Sequence, residues 1–141
     1  MGPPVRGPFC VAMYRLSDEF TVIGEDVIRT ERSLQWIPRA DIRIGFMESD
    51  KEKKKSGKEV LGDCRLVKEP WNAFCPFDFL ITIYLPNVAG MSMDQIRILL
   101  LHELLHVGMD EKNGEPVYRI VPHDIEEFRE IINRYGIDWA R

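Results

Sequence analysis

The sequence predicts an α+β domain: a small mixed or antiparallel sheet with helices packed mainly on one face. Three observations predict it. Residues 41–47 alternate Ile42, Ile44 and Phe46 with Asp41, Arg43 and Gly45, the period of a half-buried strand. Residues 78–85 form a run rich in aromatic and β-branched side chains, stopped by Pro86-Asn87. Two capped segments with helical spacing then follow these strands rather than alternating with them.

Size and composition set the frame for the elements. The chain has 141 residues, which suits one domain. Hydrophobic residues make up 45 % and charged residues 30 %, ordinary usage for a packed core. The Gly/Pro-rich start reads as a lead-in over 1–14, leaving a single domain over 15–141. Residues 18–35 suit a helix, with Phe20, Ile23, Val27 and Leu34 at roughly helical spacing and Gly24 as a weak point. After the strand at 41–47 comes a charged stretch, 48–59, with five lysines, four acids and a turn signal at Ser56-Gly57. Residues 60–67 suggest a second strand and 78–85 a third.

The best-marked helix begins at Ser92. Gln95 completes a capping box, Met91 can staple onto Ile96, and Gly108 is expected to stop the helix in a left-handed conformation. Residues 117–121 read as a short extended piece. Asp124 is expected to cap a last helix with Ile125, Phe128, Ile131, Ile132 and Tyr135 on its apolar face and Gly136 at its end.

The net charge of −4 gives no overall field for a nucleic-acid backbone. The lysines at 51–58 are interspersed with acids and read as a solvated loop rather than a phosphate contact. No apolar run approaches the ~20 residues of a membrane span, and the start has no apolar signal segment. Cys10, Cys64 and Cys75 are odd in number and lack a short Cys-x-x-Cys spacing. Cys64 and Cys75 read as core thiols, and the odd count suits a reducing compartment, so cytoplasm is the expected location.

The chemistry concentrates at residues 102–106, His-Glu-Leu-Leu-His. On a helix His102 and His106 lie one turn apart on one face, where two imidazoles can reach one Zn²⁺ at about 2.0–2.1 Å. Glu103 is rotated by about 100° and reaches a metal-bound water, whose proton it can take and pass to a leaving amine. Two ordinary core histidines beside a capped acid would be the plainer reading. But Glu103 sits among leucines, where a lone carboxylate is costly, and a metal accounts for all three residues together.

A catalytic zinc site needs a third ligand. The one remaining histidine is His123, next to the cap of the last helix; Asp124, Glu126 and Glu127 are the carboxylate alternatives. Asp110, Glu111 and Asp124 are candidates to orient the imidazoles. Tyr118 or Arg119 could stabilise an oxyanion, and Tyr118 is preferred because its hydroxyl donates without a permanent charge beside zinc. The strand at 79–85 is either a paired central strand, which its apolar character favours, or an open edge that could hold an extended peptide.

These blocks, His102 to Gly108 and Pro122 to Phe128, resemble the metallopeptidases encoded by phages and prophages. The resemblance extends to the strands at 41–46 and 79–85 and covers roughly residues 15–136. It implies a minimal zincin-like domain with His102, His106 and His123 as zinc ligands, Glu103 as general base, and a location in a bacterial host cytoplasm. At the level of three histidines the family is similar to SprT-like proteases. The compact metzincin spacing is missing, because Lys112 stands where its third histidine would. The expected function is a zinc-dependent peptidase acting on a peptide or protein. The alternatives are an inactive zinc-binding adaptor or inhibitor of a host protein, and a zinc hydrolase for a non-peptide bond.

Overall fold

The computed structural model describes residues 13–123, 129–136 and 139. A short strand β1 (Tyr14–Leu16) leads to Ser17, whose hydroxyl accepts from the Phe20 N–H and starts helix α1 (Asp18–Thr30). The chain then turns extended at Glu31, passes through a 3₁₀ turn at Arg32–Leu34, and forms a one-turn helix α2 (Trp36–Arg39). The helix expected over 18–35 is therefore broken, and Leu34 reaches the core from the turn.

Strand β2 (Ile44–Ser49) starts later than the alternation suggested. The charged stretch becomes a small exposed hairpin, β3 (Lys54–Lys55) and β4 (Lys58–Glu59). Its tip, Ser56-Gly57, has φ of 53° and 75°, the left-handed pair of a tight hairpin turn. Strands β5 (Gly62–Leu66) and β6 (Phe79–Tyr84) match the two expected runs. A single helical turn, α3 (Leu85–Val88), precedes α4 (Met93–Leu104). A second hairpin follows, β7 (Val107–Lys112) and β8 (Glu115–Ile120), and then α5 (Arg129–Tyr135).

The main sheet is mixed, with order β1-β2-β6-β5. β2 and β6 run parallel from Ile44↔Phe79 to Ser49↔Tyr84. β1 and β5 are antiparallel to their neighbours. This settles the alternatives for residues 79–85: β6 is paired on both sides and β5 takes the edge. Phe46, Phe79, Ile81 and Ile83 meet Phe20 and Val27 of α1 and Leu99, Leu100 and Leu104 of α4 in one core. Gly24 lets α1 come close to β2, since a Cβ there would lie 2.2 Å from Cε1 of Phe46. Among the described residues no helix is long and apolar enough to cross a membrane.

Two expectations change at the C-terminal end. Gly108 does not stop the helix; α4 ends at Leu104 and Gly108 lies in β7. A Cβ there would come within 2.5 Å of Val121 Cγ2, so close approach of the two chain segments, not a helix cap, explains this glycine. In α5 Ile131 is fully buried but Tyr135 is exposed. The expected Asp124 cap, with Ile125 and Phe128, lies outside the described residues.

Candidate metal centre

The start of α4 is fixed by reciprocal bonds. The Ser92 hydroxyl accepts from the Gln95 N–H at 3.2 Å, and the Gln95 side chain accepts from the Ser92 N–H at 2.8 Å. Leu99, Leu100, Leu101 and Leu104 anchor its far end in the core. His102 therefore sits on a well-held final turn. His106 lies just past the helix, where its N–H donates to the Glu103 carbonyl at 3.1 Å in a tightened closing turn. The rings of His102 and His106 remain adjacent, with centroids 5.3 Å apart.

The second hairpin brings the third imidazole back. After β8, the Val121 N–H donates to the His106 carbonyl at 2.7 Å, and His106 Nδ1–H donates to the Val121 carbonyl at 2.6 Å. Two residues on, His123 Nε2 lies 3.0 Å from His102 Nε2. One ring nitrogen from each histidine falls within a 4.8 Å group. The Val121 bond occupies Nδ1 of His106 and leaves Nε2 to face its neighbours. His102 and His106 are half-buried and His123 is exposed, so the group opens to solvent on the His123 side.

Glu103 is 4 % exposed. Its two oxygens each lie 4.0 Å from a histidine nitrogen, Oε2 from His102 Nε2 and Oε1 from His106 Nε2. Gly62 of the edge strand β5 covers it; a Cβ there would meet Glu103 Cγ at 3.5 Å and the Thr82 carbonyl at 2.9 Å. The Trp139 ring lies 6.4 Å from that of His102. Three imidazoles beside a buried carboxylate are a donor set that can coordinate a metal ion.

The other sequence candidates lie elsewhere. Tyr118 packs its ring on Phe79, with centroids 5.8 Å apart. Burial first, then the nearby charges of Asp78 and Asp41, push its phenol up. Asp110 pairs with Arg119 at 2.8 Å, and Glu111 is exposed on β7. Asp124, Glu126 and Glu127 lie outside the described residues. Burial, then the charges of Glu103 and Asp63, push the Cys64 thiol far up, which keeps it protonated. Sequence reasoning missed two contributors. Gly62 carried a signal, an isolated glycine in a strand pattern, which marks close backbone approach. Trp139 carried none.

Residues 12–141 match the profile of a family described as "Putative phage metallopeptidase". No curated protein and no solved structure matches the chain.

Proposed function

The chain belongs to the phage metallopeptidase family, and from the geometry of its histidines we propose that it is a zinc-dependent peptidase. One observation carries this reading: three imidazole nitrogens converge within 4.8 Å while a buried carboxylate stands 4.0 Å from two of them. His102, His106 and His123 would hold the ion, and neutral nitrogen donors of this kind suit zinc. When bound, zinc supplies Lewis acidity that polarises a carbonyl and makes water a nucleophile near neutral pH.

The chain's own residues supply the remainder. The Glu103 carboxylate takes a proton from the attacking water, whose oxygen bonds to the carbonyl carbon. Glu103 then returns that proton to the amine nitrogen as the C–N bond breaks. Among the described residues β5 pairs on one side only, with β6. Its outer edge, running past Gly62 over Glu103, can align an extended peptide by backbone hydrogen bonds. The three-histidine pattern also supports the distant likeness to SprT-like proteases. The phage family and the free Cys64 and Cys75 support a reading of action inside a bacterial host cytoplasm.

The test is a peptide-cleavage screen on the zinc-loaded protein, with a chelator and Glu103→Gln as controls. Glu103→Gln is expected to keep stoichiometric zinc and lose about 10²- to 10⁴-fold in rate. Zinc binding without metal-dependent turnover would favour an adaptor instead. Full activity in Glu103→Gln would remove the assigned base.

A further inference from the structure

Alongside the metal centre, β5 and β8 bound an open cleft of about 540 Å³. Cys64 and Leu66 of β5 and Tyr118 of β8 are half-buried and form its floor. Its rim carries two exposed cations, Lys68 and Arg119, whereas Arg65 alternates to the other face of β5, toward Asp63 and Tyr84. Among the described residues no acidic one lines it. In a chain of net charge −4 this is a local reversal of sign.

Both cations are available to a ligand. Lys68 pairs with no acid among the described residues. Arg119 holds Asp110 at 2.8 Å, but the side chains are 47 % and 60 % exposed, and such a pair contributes little and exchanges readily.

Both walls lead to the histidines. On β8 the cleft is followed by Val121, which holds His106, and then by His123. On β5 it is preceded by Gly62, which covers Glu103. Strands rise about 3.3 Å per residue, so Cys64 to Leu66 lie roughly 7–13 Å from Gly62. A peptide extended along β5 with its scissile bond at Glu103 would place residues two to four positions away in the cleft.

We propose that this cleft is a side-chain subsite for an aspartate or glutamate two to four residues from the scissile bond, so that the substrates are acidic peptides. The proposal rests on the peptidase reading above. The aliphatic stem of a glutamate would lie on the apolar floor and its carboxylate would meet the rim in charge-assisted hydrogen bonds. The half-buried floor suits a side chain better than a phosphate backbone, which needs only an exposed cationic stripe.

Two measurements on the full chain test this. Cleavage sites in a mixed peptide library, read by mass spectrometry on the zinc-loaded protein, should be enriched in Asp or Glu two to four residues from the cut on one side. Zinc-loaded Glu103→Gln should bind a fluorescent glutamate-rich decapeptide pool about tenfold tighter than a lysine-rich pool. Adding Lys68→Glu, or Arg119→Gln, to that variant should erase the preference without lowering the melting temperature.

Cleavage with no acidic preference overturns the subsite and leaves the peptidase reading standing. Selective binding of the acidic pool, lost in Lys68→Glu, with no turnover by the parent protein keeps the subsite and overturns the peptidase reading. Absence of both selectivity and turnover overturns both. Tighter binding of a labelled single-stranded oligonucleotide than of the acidic pool, likewise lost in Lys68→Glu, would reassign the cleft to nucleic acid.

Discussion

His106 and Val121 are joined twice: the histidine ring donates to the valine carbonyl at 2.6 Å, and the valine N–H donates to the histidine carbonyl at 2.7 Å. This reciprocal pair ties the end of α4 to the segment that carries His123. It also chooses the tautomer. Nitrogen-resolved NMR of the zinc-free protein near pH 8 should show His106 protonated at Nδ1 and bare at Nε2. The opposite tautomer would mean that Val121 does not orient the ring.

His123 is the proposed ligand that the motif alone does not contain. It is exposed, and its ring nitrogen lies 3.0 Å from that of His102. His123→Ala should weaken zinc binding by at least about a hundredfold in a competitive chelator titration, because loss of even an outer-shell partner costs about 10- to 100-fold. The melting temperature of the zinc-free protein should barely move. An unchanged zinc affinity would show that the third donor is another residue.

Gly24 tests the packing that sets α1 against the sheet. A Cβ would lie 2.2 Å from the ring of Phe46, which is 1 % exposed. Overpacking of this kind costs about 1–3 kcal/mol, and Gly24→Ala should lose that much in urea unfolding. The intrinsic helix preference of alanine works the other way, by about 1 kcal/mol. A net gain in stability would show that Phe46 can move aside.

Tyr84 is fully buried, and its hydroxyl donates to Asp63 at 2.5 Å beside Lys53. Burial, and then the bond and charge of Asp63, push this phenol well above its usual value of about 10. A raised phenol pKa stabilises the fold fully below the unfolded value, and the contribution is lost as pH rises past it toward the folded one. Tyr84→Phe should therefore cost about 1–3 kcal/mol at pH 8. The gap between parent and variant should narrow above about pH 10. Equal stability at pH 8 would remove the bond from the account.

The strands and the motif helix were legible because each carries its own periodicity or caps, as Phe79 to Tyr84 and the Ser92–Gln95 pair do. His102, Glu103 and His106 were legible from spacing. His123 could be named through the scarcity of histidines, but its meeting with the others depends on the second hairpin. That hairpin had a local signal in Asn113-Gly114, whose φ values are 56° and 80°. The polar run from Met109 to Pro116 has no apolar alternation to support it, so only its second strand was foreseen. Tyr118 illustrates the same limit. Strand alternation separates it from Arg119, yet only the fold of β8 toward Phe79 decides what its ring packs on. The edge position of β5 is likewise a matter of strand order, which no local pattern encodes.

His106 precedes the second hairpin and His123 follows it, so the ion's cradle stays unfinished until that hairpin has zippered. A metal ion held by both histidines would therefore clasp the two ends of the hairpin. Its binding free energy would be added to every opening that parts the two histidines. Stripping it should release the amides of Val107 to Ile120 to deuterium before those of the central strands.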